Sequence, residues 1–452
     1  MKKPAQVLPD TSPSAESLAA PATGPELRPR GRNFRWAIIA IITILAITNY
    51  LDRGNLSIAV PLIRKDLGIS ATEMGVVLSA FVWPYAIMNL PTGWAIDRFG
   101  PKLLMTLAAG AWSIVSIFTG FARSAGVFMG LRAALGVSES PMFPAALKAT
   151  DAWFPDREKA AATSVYIAGT QVGLAIAPPI ATGLMLAFGW PAMFVIMGLL
   201  GFVALAGWLV LYRAPEKSRW LSKEELGYIR AGQLARNKDS LGLQEKPSGR
   251  EWASLFAHPT TWVMVIGAFC LQYVFWFYIT WLPSYLETAQ HFTVSHTGWL
   301  SALPYIAGTV AVLLGGRISD LLINRGMAPI NARKYTIAGG ALLTAVALLA
   351  TAFSHGPVLA VVLLTIGMFT YSLCSGPYWA LAANVVSTPK LVGSMGSIQN
   401  FGGFLGGACA PIATGIIVDR FGGFPVALIV TAILVLISAG MYGIALRRQL
   451  TV

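Results

Sequence analysis

Residues 47–59 read I-T-N-Y-L-D-R-G-N-L-S-I-A, so Asn49, Tyr50, Asp52, Arg53 and Asn55 interrupt an apolar run that begins at Trp36. An ionised side chain near a bilayer centre costs about 2.5–3.5 kcal/mol on insertion scales, and such groups usually face a partner or a water-filled cavity. On a helix, Arg53 shares a face with Tyr50 and with Asn49, while Asp52 is turned about 100° away. A second charged pair lies in another apolar stretch, where Arg132 and Glu139 are seven residues apart. That spacing places them on one helical face about 10 Å apart along the axis, and Gly136 between them is expected to leave the face open. Two acids and two bases in apolar surroundings suit the handling of protons and of an anion. Burial favours the neutral carboxylic acid, a guanidinium beside it favours the carboxylate, and an anion that claims the guanidinium tips the balance back toward proton uptake. The plainer alternative is a pair of salt bridges that staple two helices together. Buried pairs stabilise poorly compared with apolar packing, which favours the functional reading.

The elements that must position these groups are membrane helices. The chain has 452 residues, of which 55% are hydrophobic and only 12% charged, and its mean hydropathy is +0.63. Soluble domains carry about 25% charged residues. About twelve stretches reach the roughly 20 apolar residues needed to cross the hydrocarbon, which predicts an all-α membrane protein. The net charge of +13 could suggest a nucleic-acid partner, but its placement argues otherwise. With both ends on one side, most Lys and Arg fall on that side, and the opposite loops hold only Arg64, Lys65, Arg123 and Arg420. The positive-inside rule then places both termini in the cytoplasm of a multi-pass protein of the cell (inner) membrane. Cys270, Cys374 and Cys409 lie inside apolar stretches, and the four histidines form no cluster, so neither a disulfide framework nor a metal site is expected. No cofactor is expected. An enzyme is the rival from another class, and no nucleophile elbow, phosphate loop or metal motif supports it.

A polar segment near residues 214–258 divides the chain. The expected layout is a disordered cytoplasmic tail (1–33), a six-helix bundle (34–213), a cytoplasmic linker (214–258), a second six-helix bundle (259–446) and a short tail (447–452). S-K-E-E-L at 222–226 predicts a short surface helix within the linker. The halves echo one another. The second apolar stretch ends in Gly93-W-A-I-Asp97-Arg98-F-Gly100-P-Lys102, and the eighth in Gly316-Arg317-I-S-Asp320 followed by Arg325-Gly326 and Arg333-Lys334. P-I-A-T-G occurs at 179–183 and again at 411–415. Duplicated halves suit a transporter whose bundles rock about a midplane site. Asp97, Arg98 and Lys102, with Asp320, Arg325 and Arg333, are expected to hold one gate state through ion pairs and helix ends; ordinary surface charge is the alternative.

On these residues the sequence resembles the major facilitator superfamily. The G-x-x-x-D-R-x-G-x-K loop looks like its gating motif, and N-Y-L-D-R-G-N-L-S-I-A is similar to the opening helix of the anion:cation symporter family. L-R-A-A-L-G-V-S-E-S-P-M-F-P-A (131–145) and Q-N-F-G-G-F-L-G-G (399–407) add to the match. The resemblance implies a monomeric symporter of a small organic anion and protons. It further implies that Asp52 and Glu139 exchange protons, that Arg53 meets a substrate carboxylate, and that Arg132 is the charge partner that holds or releases the protons. Tyr85, Trp379 and Asn400 occupy positions that look like substrate contacts, with packing as the alternative for each, and Tyr50, Thr170 and Gln171 are expected to join them in the substrate site. One departure is that Gly169 is followed by Thr170 and only then Gln171, which turns the glutamine about 100° from the expected face and leaves room for an aromatic acid or a dicarboxylate. Efflux or uniport within the same fold is the remaining alternative; two buried arginines argue against a cationic cargo.

Overall fold

A computed structural model of the protein describes residues 33–239, 249–388, 391–446 and 450. The expected tails, apart from Asn33 and Leu450, lie outside the described residues. The first half comprises α1 (Phe34–Leu67), α2 (Ala71–Ser79), α3 (Val82–Phe99), α4 (Pro101–Thr119), α5 (Ala125–Glu139), α6 (Met142–Trp153) and α7 (Asp156–Leu211). After α8 (Lys223–Asp239) and the short α9 (Gly249–Ser254) come α10 (Pro259–Ser284), α11 (Val294–Asn324) and α12 (Pro329–Ala352). The chain closes with α13 (Pro357–Leu373), α14 (Ser375–Val385), α15 (Val392–Arg420) and α16 (Phe424–Gly440).

Among the described residues, ten helical segments are long and apolar enough to cross a membrane. One of them, α7, has 56 residues and would run about 84 Å at 1.5 Å per residue, far beyond a hydrocarbon core of about 30 Å. Its continuity is interrupted at Gly189, whose φ of 81° and ψ of 162° lie outside the helical region, two residues before Pro191. The left-handed φ favours glycine, and α7 therefore counts as two crossings. In contrast, α5 and α6 are in tandem, parted only at Ser140 and Pro141, and together form one. The arrangement is consistent with twelve crossings.

Small residues set the closest helix approaches. α1 lies along the first part of α7, where a Cβ added to Gly173 would come 2.9 Å from the Ile47 carbonyl oxygen and from Tyr50 Cβ, and one on Gly169 would come 2.6 Å from Thr43 Cγ2. Close backbone approach of this kind is how membrane helices associate when apolar burial gives no preference over lipid. It fixes the rotation of α1, and with it the direction in which Asp52 and Arg53 project. In the second half, α10 packs along α15 in the same way, with Gly402 and Gly406 against the backbones of Val265 and Phe269.

The linker differs from the expected short surface helix. α8 has 17 residues, begins one residue after Ser222, whose hydroxyl accepts from the Glu225 N–H at 3.1 Å, and docks on the first half. Glu225 is fully buried and accepts from the Phe34 N–H at 3.0 Å, the Arg35 N–H at 3.2 Å and Arg35 Nη1 at 2.9 Å. Arg35 also donates through Nε to Glu158 at 2.9 Å. The N–H groups that open a helix have no partner within it, and here the linker carboxylate supplies one for α1. This end of the molecule is called the linker end below, and the opposite one the far end.

Candidate functional site

The break between α2 and α3 shapes the centre of the first half. Ala80 and Phe81 separate the two helices, and the Phe81 carbonyl sits where a Cβ on Gly136 would have to go. The bare face of Gly136 is thus filled by the backbone of the break and is not open. This close approach packs α5, with Glu139, against the α2–α3 break and within side-chain reach of Arg53 on α1. Phe81 and Tyr85 are delivered to the same place.

There the Arg53 guanidinium lies among three rings, 4.5 Å from the Tyr50 centroid, 4.8 Å from Tyr85 and 5.1 Å from Phe81. Its Nε donates to Glu139 Oε2 at 3.0 Å; the two side chains are 9% and 0% exposed. Each desolvated ring face adds to the attraction for the cation. One guanidinium nitrogen, Nη2, and the second carboxylate oxygen of Glu139 are buried without a hydrogen-bond partner among the described residues. Asn49 is fully buried beside Glu139, and neither polar atom of its amide makes a hydrogen bond of normal geometry.

The bonded pair runs between two helices. Glu139 bonds Arg53, 86 residues away, and not Arg132 on its own helix. Asp52, 2% exposed, does not pair with its neighbour Arg53; it accepts from Asn55 Nδ2 at 3.1 Å, with Ser116 of α4 alongside. Arg132 is buried within electrostatic reach of both carboxylates, but it makes no ion pair with either and its Nε has no partner among the described residues. So the cluster has one bonded acid–base pair, one acid held by an amide, and one arginine without a direct carboxylate contact.

Among the expected substrate contacts, Tyr50 and Tyr85 belong to the ring cage. Tyr50 meets Phe143 edge-on, and Tyr85 reaches Phe404 of α15 with ring centroids 5.6 Å apart. Phe81 likewise meets Trp276 of α10, so the cage touches the second half at two rings. Thr170 is buried, with its hydroxyl donating to the Ile167 carbonyl at 2.7 Å. Gln171 and Asn400 are half-buried. Trp379 is largely exposed, edge-on to Tyr378, and is not part of the cage.

The expected gate residues are distributed along the linker end. Asp97 accepts from Lys148 Nζ at 2.8 Å, Arg98 stacks over Trp94 and Phe99, and Lys102 opens α4. Arg333 bonds the Ala380 carbonyl and Asn384, tying α12 to the end of α14. Asp320 and Arg325 lie exposed around the end of α11.

Sequence reasoning missed a polar group in the second half. Tyr371 Oη donates to Gln272 Oε1 at 2.6 Å, and Gln399 Nε2 donates to the Tyr378 carbonyl at 3.0 Å. Tyr378 Oη and Gln399 Oε1 are buried without a partner of normal geometry among the described residues. Uncharged and scattered over 128 residues from Gln272 to Gln399, they give no local signal comparable to D-R in α1; the adjacent Q-N at 399–400 is the one hint in the sequence.

Among the described residues no group of three or more His, Cys, Asp or Glu could hold a metal ion. The Major Facilitator Superfamily description matches residues 42–411. A "probable L-galactonate transporter" of Escherichia coli (strain K12) is 34% identical over 441 residues, covering 97% of this chain and 96% of that protein. A "D-galactonate transporter" of Escherichia coli O6:H1 is 32% identical over 411 residues, covering 90% and 94%. Among solved structures, a bacterial homolog to the human lysosomal transporter Spinster, in an inward-facing and occupied conformation, superposes with a TM-score of 0.74 at 17% identity, over 92% of this chain and 97% of that one; that likeness is one of fold. With the helical architecture, the sequence match and these relatives in agreement, the chain belongs to the major facilitator superfamily.

Proposed function

We propose that the protein is a secondary transporter of the cell (inner) membrane that imports an organic anion, a sugar acid or related carboxylate, together with protons by alternating access. The observation that carries the reading is Arg53: a buried guanidinium in an aromatic cage, paired with a fully buried Glu139, with one donor nitrogen still unpartnered. A planar fork of this kind matches a carboxylate bidentately. The names of the relatives, transporters of galactonates, support the same class of cargo.

The charge count explains the coupling. Asp52, Glu139, Arg53 and Arg132 together are formally neutral. An anion that entered alone would leave a net negative charge in a site with almost no water contact, which is costly. A carboxylate that takes the fork of Arg53 displaces Glu139, which then has no direct cation and is best accommodated with a proton. Anion and proton arrive together because either alone unbalances the cluster. Asp52, bonded to Asn55 and near Arg132, is the second proton site in this reading, and Arg132 stabilises both acids in their charged forms. Tyr50, Tyr85, Thr170, Gln171, Trp379 and Asn400 are assigned to the rest of the substrate, and Asp97, Arg98, Lys102, Asp320, Arg325 and Arg333 to closure of the linker end. In this reading both termini are cytoplasmic, on the charge distribution of the loops.

A panel of labelled carboxylates, with D- and L-galactonate among them, offered to proteoliposomes under an inward-directed proton gradient tests the proposal. Saturable accumulation of at least one of them, abolished by a protonophore, is expected. Accumulation that ignores the protonophore would remove proton coupling, and failure of every carboxylate would remove the substrate class.

A further inference from the structure

At the far end, α2 and α15 run antiparallel in a tight register. Ser79 Oγ donates to the Ala408 carbonyl at 2.6 Å. Gly75 faces Pro411 and Gly415 faces Ala71 so closely that a Cβ on either glycine would collide with a carbonyl oxygen. One turn beyond Gly415, Asp419 reaches over the start of α2. Its carboxylate accepts from the Ala71 N–H at 3.1 Å, the Thr72 N–H at 2.6 Å and the Thr72 hydroxyl at 2.6 Å, and Arg64 Nη2 lies 3.9 Å away. These bonds join the two halves of the molecule.

The cap of α2 is completed only from the second half, since the capping atoms of the first half leave the Ala71 and Thr72 N–H groups to Asp419. Ser70 and Glu73 form a reciprocal capping box within the first half, so the second-half carboxylate is a further clasp on the same terminus. The sequence gives Asp419 a counterpart as well. G-x-x-x-D-R-F-G occurs at 93–100, ending α3 at the linker end, and again at 415–422, ending α15 at the far end. The two aspartates are in opposite circumstances: Asp97 is 71% exposed and bonds Lys148 of its own half, whereas Asp419 is 27% exposed and holds the other half.

We propose that Asp419 is the latch that keeps the far end shut, a positioning residue of the transport cycle that clasps the N-terminus of α2 in this state and releases it when the far end opens. The proposal rests on the alternating-access reading above. An anionic clasp on exposed N–H and hydroxyl groups is suited to repeated breaking, because acid and donors are all re-solvated on release, while in the closed state the bonds are charge-assisted and favoured by the helix terminus.

The test is double electron–electron resonance on protein in nanodiscs, with Cys270, Cys374 and Cys409 replaced. One spin-label pair sits at the far end (Lys65→Cys with Phe421→Cys) and another at the linker end (Leu103→Cys with Asn324→Cys). In the parent, the two distances should change in opposite senses as pH and galactonate are varied. Asp419→Asn should raise the ratio of far-end-open to far-end-closed molecules about tenfold, as expected for weakening bonds to a charged acceptor. Thr72→Val, which removes only the hydroxyl donor, should shift it in the same direction by less, and provides the readout if Asp419→Asn does not reach the membrane. Asp66→Asn removes a carboxylate that bonds Trp190 inside the first half, and should leave the ratio as in the parent. A parent that switches while both the Asp419 and Thr72 variants keep its distribution overturns the latch and leaves alternating access standing. A parent whose distances never change overturns alternating access, and the latch with it. An equal shift in Asp66→Asn makes the effect one of general loosening and overturns the latch.

Discussion

Replacing Glu139 by Gln separates a proton carrier from a staple. Glu139 is completely buried and its Oε2 accepts from Arg53 Nε at 3.0 Å. The glutamine carbonyl can keep that hydrogen bond, so the geometry of the cage survives and only the charge is lost. Breaking a buried pair by removing one partner outright costs about 3–5 kcal/mol. Here the retained bond and the three ring faces around Arg53, each contributing roughly 0.5–2 kcal/mol, hold the loss below that range. The variant should therefore fold, with a modestly lower melting temperature. It mimics the protonated acid, so it should exchange labelled for unlabelled substrate across the membrane in counterflow, which needs no proton discharge. It should fail at accumulation driven by a proton gradient, because the site no longer cycles between charged and neutral forms. A well-folded Gln variant that accumulates substrate like the parent would refute the assignment of Glu139. Loss of counterflow together with a large drop in melting temperature would make it a staple.

Arg53→Lys keeps the charge but loses the fork and the Nε bond, and a hydrogen bond to a charged group contributes about 1.5–3 kcal/mol. Substrate affinity, measured by calorimetry, should fall by roughly tenfold to a hundredfold, and near-parental affinity would remove Arg53 from the site. Glu225→Ala deprives the first turn of α1 and the buried Arg35 of their acceptor; Arg35 keeps Glu158, so the loss should be about 3 kcal/mol or less. Thermal melting should register that loss, while the KM of the folded fraction stays within a factor of about three, and an unchanged melting temperature would contradict the described docking of α8.

The polar run of the opening helix stands out in the sequence because charge is expensive in a bilayer, and the seven-residue spacing of Arg132 and Glu139 is equally plain. Which acid meets which base was not legible. Arg53 and Glu139 come together because glycines at 169, 173 and 136 set the rotation and approach of three helices, and no local pattern encodes that sum of contacts. The inference that Gly136 leaves an open face failed for the same reason, since a glycine equally permits a backbone to fill the space, as Phe81 does. Glu225 reads as an ordinary first-turn acid of a surface helix; only its burial against Phe34 and Arg35 reveals a docked linker. Asp419 likewise reads as a charge at a helix end until its partners on α2 are seen. Composition and periodicity reported the elements well, and long-range partner choice poorly.

The central claim is that anion binding at Arg53 loads a proton onto the cluster. Proton uptake on binding, followed with a pH indicator in weakly buffered detergent solution as galactonate or another carboxylate found to bind is titrated in, tests it most directly. The parent is expected to take up about one proton per anion bound, keeping the four-charge site neutral, and Glu139→Gln to bind with markedly less uptake. Stoichiometric binding of the anion by the parent with no proton taken up at any pH between 5 and 8 would contradict the account.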